Sequence, residues 1–411
     1  MSHKWKLVVS CLMVLSVLAT LCLGCAEEEE EGRVTIVIGH PTDLTGPASP
    51  STVVHIEYLD YLIRYINEED PIPGAKLEML YYDTKYDPAR EIPGYDWLRD
   101  RGAQVIMSFI PTTGEILKPF AQRDKIPILS AVPTTPMIDP PGWVFCANTP
   151  GRYSIKTLLD WVSENDWDYA QGIPKIGLVG WLEPYQLDIS SAVAEYCIDH
   201  PDQFQFVAAP LTPMGVLTWS GEIELLGDCD YVVPPSTGIG TTTFINQFRD
   251  AGWNGRFLCT DAITAFMGMV VDACGRESME GSHGWARGPF FNYPSPIVDL
   301  YEEVVNMYAP DKAAEGYFDQ AGGVITFGNF LWFMDLIRAA IEEVGADNFD
   351  GEALYNTAIS FKKTYEGHPE EGYSETERFI PKHTMIWRWN AEADTLRETM
   401  TTVSGFLPLV E

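Results

Sequence analysis

The chain has 411 residues, of which 46% are hydrophobic and 21% are charged. This composition is that of a globular protein long enough for two lobes with separate cores, and it excludes a disordered chain. The formal net charge of −32 argues against a nucleic-acid partner and against an anionic cytoplasmic membrane surface. Net charge describes solubility, so it does not predict the charge of a ligand.

The N-terminus predicts export. Lys4 and Lys6 precede an uncharged apolar run over residues 7–24, which is typical of a secretory signal rather than of a folded element. An uncleaved membrane anchor is the alternative, because a run of about 18 residues is at the short end of what spans a bilayer. Removal of residues 1–24 would take away two lysines and no acid, and would change the net charge from −32 to −34.

Cys25 follows the apolar run and precedes an unbroken acidic stretch over residues 27–31. A cysteine in this place is similar to the lipidation site of bacterial lipoproteins, although Cys22 stands where those proteins usually have leucine. We therefore expect a lipoprotein signal peptide over residues 1–24 and lipidation of Cys25. Residues 25–32 would form a solvated acidic tether, since runs of like charge are seldom folded.

Five cysteines lie outside the signal region, so they cannot all pair within the chain. An exported location permits disulfides, and buried free thiols are the alternative. The spacing does not choose between them. These residues are Cys146, Cys197, Cys229, Cys259 and Cys274.

Strand and helix patterns alternate along the first third of the chain. Apolar residues recur at helical spacing from Ile56 to Ile66, and Pro93 and Gly94 are expected to interrupt a helix over residues 90–100. Short apolar runs of this kind indicate buried parallel strands. We predict strands over residues 34–39, 77–82, 105–109 and 126–129.

A second alternating series follows and predicts a second parallel sheet. Two later helices, over residues 295–308 and 318–344, precede a last strand over residues 385–389. The polar stretch 365–382 lies before that strand. The second series has strands over residues 175–180, 204–209, 231–234 and 257–260, and helices over 152–164, 189–198 and 242–251.

Residues 107–136 contain most of the candidate ligand-binding residues. The stretch reads as strand, hydroxyl-rich turn, helix, strand and second hydroxyl-rich turn. Ligands of open α/β sheets bind outside the carboxyl ends of the strands, so the two turns are expected to lie side by side and to grip a polar or anionic solute. The candidate residues are Thr112, Thr113, Gly114, Ser130, Val132, Thr134 and Thr135.

Five short motifs stand at the predicted strands and loops of the first lobe. They are VTIVIG at 34–39, DLTGP at 43–47, YDTKYDP at 82–88, IPILS at 126–130 and TTP at 134–136. In this order they resemble the motifs of the periplasmic solute-binding proteins of the leucine/isoleucine/valine-binding type. The first two are similar to the first strand and loop of that family, the third to the step after its second strand, and the last two to its segment around the second hydroxyl loop. The weight of the resemblance comes from the order of these pieces.

The resemblance implies an α/β fold with two Rossmann-like lobes, each with a parallel sheet, joined by a three-strand hinge. Lobe 1 would comprise residues 33–150 and 285–376, and lobe 2 would comprise residues 151–284 and 377–411. It also implies a monomeric binding component of an ABC importer, without a cofactor, that delivers its ligand to an ABC permease. The implied ligand is an amino acid or a related small carboxylate or amide, captured by closure of the lobes.

Two alternatives remain open at the level of sequence. The first is a ligand-sensing protein that reports to a membrane receptor. The second is an exported hydrolase, for which no familiar catalytic motif is present. The seven histidines have no metal-ligand spacing, so we predict neither a metal site nor an enzyme.

The resemblance also suggests individual ligand contacts. Thr134 stands where the family has a ligand-contacting threonine, although serines and threonines at strand ends also cap helices. Asp261 stands where amino-acid-binding relatives have an acid that receives the ligand's ammonium, and the alternative is a helix N-cap. Trp181 and Tyr185 would contribute aromatic surface. Ser236, within Pro-Ser-Thr at residues 235–237, stands where many relatives have an aromatic residue, which argues against a simple leucine-type pocket.

Overall fold

The computed structural model describes residues 32–236, 238–288, 290–319 and 321–410, without the side chains of Ser51, Ala321 and Gly322. The predicted signal peptide, the lipidation site Cys25 and the acidic tether up to residue 31 lie outside these residues. They stay predictions.

Two main sheets contain most of the described strands. The first sheet has the order β2-β1-β3-β4-β5, and the second has the order β16-β15-β12-β11-β10-β6-β8, with β17 beside β15. Two further pairs are β7 with β9 and β13 with β14. The strands are β1 (Val34–Thr42), β2 (Ala75–Asp83), β3 (Val105–Ser108), β4 (Ile128–Ser130), β5 (Val144–Cys146), β6 (Lys175–Leu178), β7 (Gly180–Trp181), β8 (Gln205–Phe206), β9 (Leu211–Thr212), β10 (Tyr231–Val233), β11 (Arg256–Cys259), β12 (His283–Ala286), β13 (Lys362–Lys363), β14 (Glu371–Gly372), β15 (His383–Trp389), β16 (Met400–Thr402) and β17 (Leu407–Pro408).

Helices connect the strands of both sheets, and the described residues also form four short 3₁₀ helices. The 3₁₀ helices span Pro88–Arg90, Tyr169–Gln171, Glu277–Met279 and Ala346–Asn348. The α-helices are α1 (Ser49–Glu68), α2 (Glu91–Arg99), α3 (Pro111–Asp124), α4 (Thr135–Ile138), α5 (Gly151–Asn165), α6 (Pro184–Asp199), α7 (Ser220–Leu226), α8 (Gly238–Asp250), α9 (Asp261–Ala265), α10 (Met267–Cys274), α11 (Pro296–Tyr308), α12 (Pro310–Ala314), α13 (Ala321–Val344), α14 (Gly351–Ala358) and α15 (Leu396–Thr399).

Parallel pairing confirms the predicted fold class. Strand β3 pairs in parallel with β1 and β4, and β10 pairs in parallel with β6 and β11. The C-terminal strand β15 pairs antiparallel with β12, so the second sheet has an antiparallel edge. Helices α11 and α13 pack on α1 and therefore return the chain to the first sheet after β12. The result is a pair of parallel α/β lobes.

The chain passes between the two sheets near residues 147–150, 287–295 and 379–382. The first and third passages run side by side, because Ile380 N donates to the carbonyl of Cys146 at 3.0 Å. Thr149 Oγ1 also donates to the carbonyl of Pro381 at 2.8 Å. Paired connecting strands of this kind form a hinge. The exact lobe bounds stay a prediction.

The expected interruption of the helix around residues 90–100 is wrong. Helix α2 runs unbroken from Glu91 to Arg99. Pro93 falls in its first turn, where backbone N–H groups have no partner within the helix, so the missing donor costs nothing. Gly94 is required by packing, because a Cβ there would lie 2.5 Å from the ring of Tyr82.

Helix α13 is long and apolar enough to cross a membrane by length and composition. In the apolar span Gly323–Val344, 78% of the most apolar 18-residue window is buried inside the protein. The aromatic side chains of Phe330, Trp332 and Phe333 are fully buried. Such burial is typical of the core helix of a globular protein.

Within the described residues the five cysteines are free thiols. Four of them are buried, and Cys274 is half-buried. Burial raises the pKa of the Cys197 thiol to about 12, because the thiolate is poorly solvated there. Of the two alternatives, the structure therefore contains buried thiols rather than disulfides.

Candidate functional site

A cleft lies between the two sheets and contains about 760 Å³ of atom-free space, its open mouth included. Its first wall includes Phe109 and Ile110, which follow β3, and Val132, which follows β4. Its second wall includes Ser236, which follows β10, and Asp261, which follows β11. Both walls are thus built at the carboxyl ends of parallel strands, where α/β folds bind ligands.

Four of the predicted site residues line this cleft: Val132, Tyr185, Ser236 and Asp261. The others do not belong to its lining, and ligand contact by them stays a prediction. These are Thr112, Thr113, Gly114, Ser130, Thr134, Thr135 and Trp181.

The sequence predicted that the first hydroxyl-rich segment is a loop that precedes a helix. In the structure this segment instead forms the first turn of helix α3, which begins at Pro111. Proline is favoured at this helical position because its fixed φ suits a helix start. Thr113 Oγ1 donates to Glu91 Oε2 at 2.9 Å, and Thr112 is buried in the same turn. Gly114 contacts the side chain of Met137, so the two predicted segments do lie side by side.

The remaining hydroxyls of this region have partners within the protein. Ser130 Oγ is 3.4 Å from the backbone nitrogen of Val132, and Thr134 Oγ1 donates to Glu115. Thr135 Oγ1 donates to Asp188 Oδ1 at 2.9 Å and so links α4 to α6.

Trp181 is also held within its own lobe. Its indole N–H donates to the carbonyl of Val216 at 2.8 Å, and its ring contacts Gly240 of α8. The side chain is only 3% exposed. It therefore packs in the core of the second lobe.

Asp261 is the most constrained carboxylate of the cleft. Tyr185 Oη and Asn148 Nδ2 donate to its two oxygens, and the backbone nitrogen of Ala262 donates to Oδ1 at 3.0 Å. The alternative role as a helix N-cap is wrong, because Thr260 caps α9 by accepting from Ile263 N at 3.3 Å. Asn148 lies in the first passage between the sheets, so this bond joins the hinge region to the cleft.

Two carboxyl groups, those of Asp261 and Glu183, line the cleft. Burial raises the pKa of Asp261, and its hydrogen bonds only partly offset this effect. Burial also raises the pKa of Glu183 to about 7, although that carboxylate caps α6 by accepting from Tyr185 N and Gln186 N. Among the described residues that line the cleft, none is a lysine or an arginine. A cationic ligand group would therefore be favoured here.

Aromatic rings cover much of the remaining wall. Tyr86 and Phe109 line the cleft from the first lobe, and Phe266 lines it from the second. His55 of α1 stacks on Phe266, with ring centroids 5.2 Å apart and ring planes at 23°. This stack joins the two lobes. A second, outward-facing hollow lies on its far side, since His55 and Phe266 also line that hollow.

The sequence did not single out His55, Asn148 or Phe266 as site residues. A signal existed for His55, which lies four residues before Leu59 on the apolar stripe of α1. Polar residues are seldom buried on the apolar face of a helix, so this position indicated a special role for His55. Asn148 and Phe266 carry no comparable local pattern.

Over the described part of the chain, no group of three or more histidine, cysteine, aspartate or glutamate side chains could hold a metal ion. The cleft residues instead offer hydrogen bonds, the two buried carboxyl groups of Asp261 and Glu183, and aromatic surface. Such a set can bind a small organic molecule.

The profile of the periplasmic binding protein family matches residues 35–390. The chain belongs to this family. The match covers the first sheet, the second sheet apart from β16 and β17, and the three passages between the sheets. No curated protein sequence matches the chain significantly.

Solved structures confirm the predicted type I fold. A branched-chain amino acid ABC transporter protein from Thermus thermophilus with bound valine has a TM-score of 0.76 at 17% identity, over 92% of this chain and 97% of that one. A fatty acid ABC transporter substrate-binding protein from Thermomonospora curvata has a TM-score of 0.76 at 15% identity, over 92% and 94%. A solute-binding protein from R. palustris in complex with 4-hydroxybenzoate has a TM-score of 0.72 at 14% identity, over 92% and 97%.

Family membership makes the chain a periplasmic binding protein, and it implies an extracytoplasmic location. The family consists of binding proteins rather than enzymes. The predicted resemblance to the leucine/isoleucine/valine-binding type is confirmed. The ligands named for the three neighbours differ in chemistry, so these neighbours do not indicate which ligand this chain binds.

Proposed function

We propose that this protein captures a small amino acid, or a related amide that carries an ammonium group, for an ABC importer. The observation that carries the proposal is the state of Asp261, a buried carboxylate in the cleft with no cationic partner among the described residues. Tyr185 and Asn148 hold it in a fixed position. A ligand ammonium would supply the missing positive charge through charge-assisted hydrogen bonds.

A ligand with a carboxylate and no ammonium fits this wall less well. Such an anion would face Asp261 and Glu183 without a lysine or arginine in the lining to offset their charge. Like charges in a poorly solvated cleft repel strongly. The carboxylate of a zwitterion would instead be bound at the other wall, where backbone N–H groups start α3.

The rest of the proposal concerns delivery. Cys25 would carry a lipid that anchors the monomeric protein outside the cytoplasmic membrane, and an ABC permease would accept the ligand-bound form. Closure of the lobes would be stabilised by the ligand, because each lobe supplies part of its contacts. The sequence of the N-terminus and the family's association with transporters support this part.

Calorimetric titration with three matched compounds tests the ligand class. The compounds are an amino acid, its decarboxylated amine and its deaminated acid, drawn from a panel that covers the common side chains. We expect binding of the amino acid, weaker binding of the amine and none of the acid. Asp261→Asn should abolish binding, whereas Asp272→Asn, which changes an exposed acid of α10 outside the cleft, should not. Tight binding of the deaminated acids alone would contradict the proposal.

A further inference from the structure

His55 lines the cleft with a ring that is only 7% exposed. Neither of its ring nitrogens has a hydrogen-bond partner within the described part of the protein. A buried polar group without a partner is costly, and native proteins retain few of them. The unpaired ring nitrogens of His55 therefore need a functional or structural explanation.

The aromatic neighbours of His55 restrict where a partner could come from. Phe266 stacks on the ring, and Phe109 lies at 5.4 Å between centroids with an interplanar angle of 58°. Apolar rings from both lobes thus surround the imidazole and offer it no hydrogen bond. Burial lowers the pKa of His55 to about 3, so the ring is neutral and presents one donor and one acceptor. Neither is satisfied within the described protein, and a polar ligand group that enters the cleft would bond to them.

Ser236 shows the same condition on the second wall. Ser236 lines the cleft and is only 3% exposed, and its hydroxyl has no hydrogen-bond partner among the described residues. Two other polar groups of the lining, by contrast, have partners within the protein. Thr52 Oγ1 donates to the carbonyl of Asp43, and Asn329 Oδ1 accepts from Arg287 at 2.8 Å.

We propose that His55 and Ser236 form a subsite for an uncharged polar group on the body of the ligand, a hydroxyl or a carboxamide, which both donates and accepts hydrogen bonds. The inference rests on the proposed function, in which Asp261 receives the ammonium. It narrows the ligand to a polar amino acid instead of a branched-chain aliphatic one. A second carboxylate is excluded from the subsite by the lack of a lysine or arginine in the lining.

Isothermal titration of the purified protein with near-isosteric pairs tests the subsite. The pairs are threonine with valine, asparagine with leucine, and glutamine with methionine. We expect the polar member of at least one pair to bind at least tenfold more tightly than its apolar partner. His55→Phe keeps a ring between Phe109 and Phe266 but removes both nitrogens, and should abolish or invert this preference. Ser236→Ala, a smaller change, should reduce it severalfold.

Two further readouts separate recognition from a structural role. His55→Phe should raise the melting temperature of the unliganded protein, because it removes unpaired buried nitrogens; a structural histidine would give the opposite shift. With ¹⁵N-labelled histidine, addition of the polar ligand should move the His55 ring signals. Equal or tighter binding of the apolar members would overturn the subsite and leave the amino-acid proposal intact. Failure of every amino acid to bind would overturn both.

Discussion

Thr135 Oγ1 donates a hydrogen bond to Asp188 Oδ1 at 2.9 Å, and this bond joins a helix of the first lobe to a helix of the second. Asp188 is buried, with its other oxygen unpaired among the described residues, and Arg152 lies 3.5 Å from Oδ1. The carboxylate therefore depends on the opposite lobe for one of its few partners. A bond of this kind forms only when the lobes are close together.

Thr135→Val should weaken ligand binding without touching the cleft. Loss of one interlobe hydrogen bond of about 1 kcal/mol corresponds to a roughly fivefold higher Kd. The change should lie mainly in a faster dissociation rate, because the bond stabilises the closed form. Stopped-flow tryptophan fluorescence with the best ligand would measure it.

Thr357→Val is the matched control for this variant. Thr357 Oγ1 donates to Glu343 at 2.8 Å, a bond of the same type between two helices of one lobe. The control should leave both rate constants unchanged. An equal effect of the two variants would show that the Thr135 bond does not report lobe closure.

Asp261→Asn should stabilise the unliganded protein at neutral pH and abolish its response to amino acids. Because the folded-state pKa of Asp261 is raised, its contribution to stability is fully present below the unfolded pKa and is lost as pH rises through the folded pKa. The asparagine side chain of the variant does not ionise, so the variant does not lose this stability as pH rises. Ligand affinity should fall at least roughly a hundredfold, since removal of one partner from a buried charge pair costs about 2–5 kcal/mol.

Thermal denaturation with and without ligand measures both effects in one series. The expected result is a higher melting temperature without ligand and loss of the shift that the amino acid produces in the wild type. A lower melting temperature without ligand would mean that Asp261 serves the fold rather than the ligand.

Glu91→Gln should flatten the pH dependence of stability between about pH 4.5 and about pH 7, where the wild type loses stability as pH rises. Burial raises the pKa of Glu91 from 4.5 to about 7, and only one of its oxygens has a hydrogen-bond partner among the described residues. The stabilising contribution is therefore present below the unfolded value and is lost as pH rises through about 7. The variant should be more stable than the wild type by about 1–3 kcal/mol near pH 8.5, in urea denaturation.

The exposed acid Glu352 provides the control for Glu91. It forms a surface ion pair with Lys125, and such pairs contribute about 0–1 kcal/mol. Glu352→Gln should leave the slope of stability against pH unchanged. A Glu91→Gln variant with the wild-type slope would contradict the role assigned to this carboxyl group.

The buried thiols should resist modification in the native state. Alkylation followed by peptide mass spectrometry should label Cys274 first, because it alone among the five is half-buried. Cys146, Cys197, Cys229 and Cys259 should react only after denaturation, since burial raises the pKa of each thiol and blocks access. Peptides linked by a disulfide in unreduced protein would contradict this arrangement.

The sequence was a good guide to the sheets because buried parallel strands carry a strong local signal. The strand expected over residues 105–109 is Val105–Ser108, and the one over 257–260 is Arg256–Cys259. The helix at Pro93 was misjudged, because the cost of proline depends on its exact position in the first turn. Helix starts are set by tertiary context, which a pattern of residue types does not contain.

The cleft was harder to predict than the fold. Asp261 and Tyr185 stood at strand and loop positions that the family resemblance marked, and both line the cleft. The hydroxyls around Thr113 and Thr134 instead bond to Glu91 and Glu115, acids that lie distant in sequence. The stack of His55 on Phe266 joins residues that are more than two hundred positions apart in the chain. A local pattern of residue types does not predict such a contact.

The central claim is that Asp261 receives the ammonium of the ligand between the closed lobes. A crystal structure of the protein with its tightest amino-acid ligand tests this most directly. We predict a ligand nitrogen about 2.7–2.9 Å from an Asp261 carboxylate oxygen, with Tyr185 and Asn148 still in place. A ligand whose nitrogen lies elsewhere, with Asp261 bonded only to those two side chains, would contradict the account.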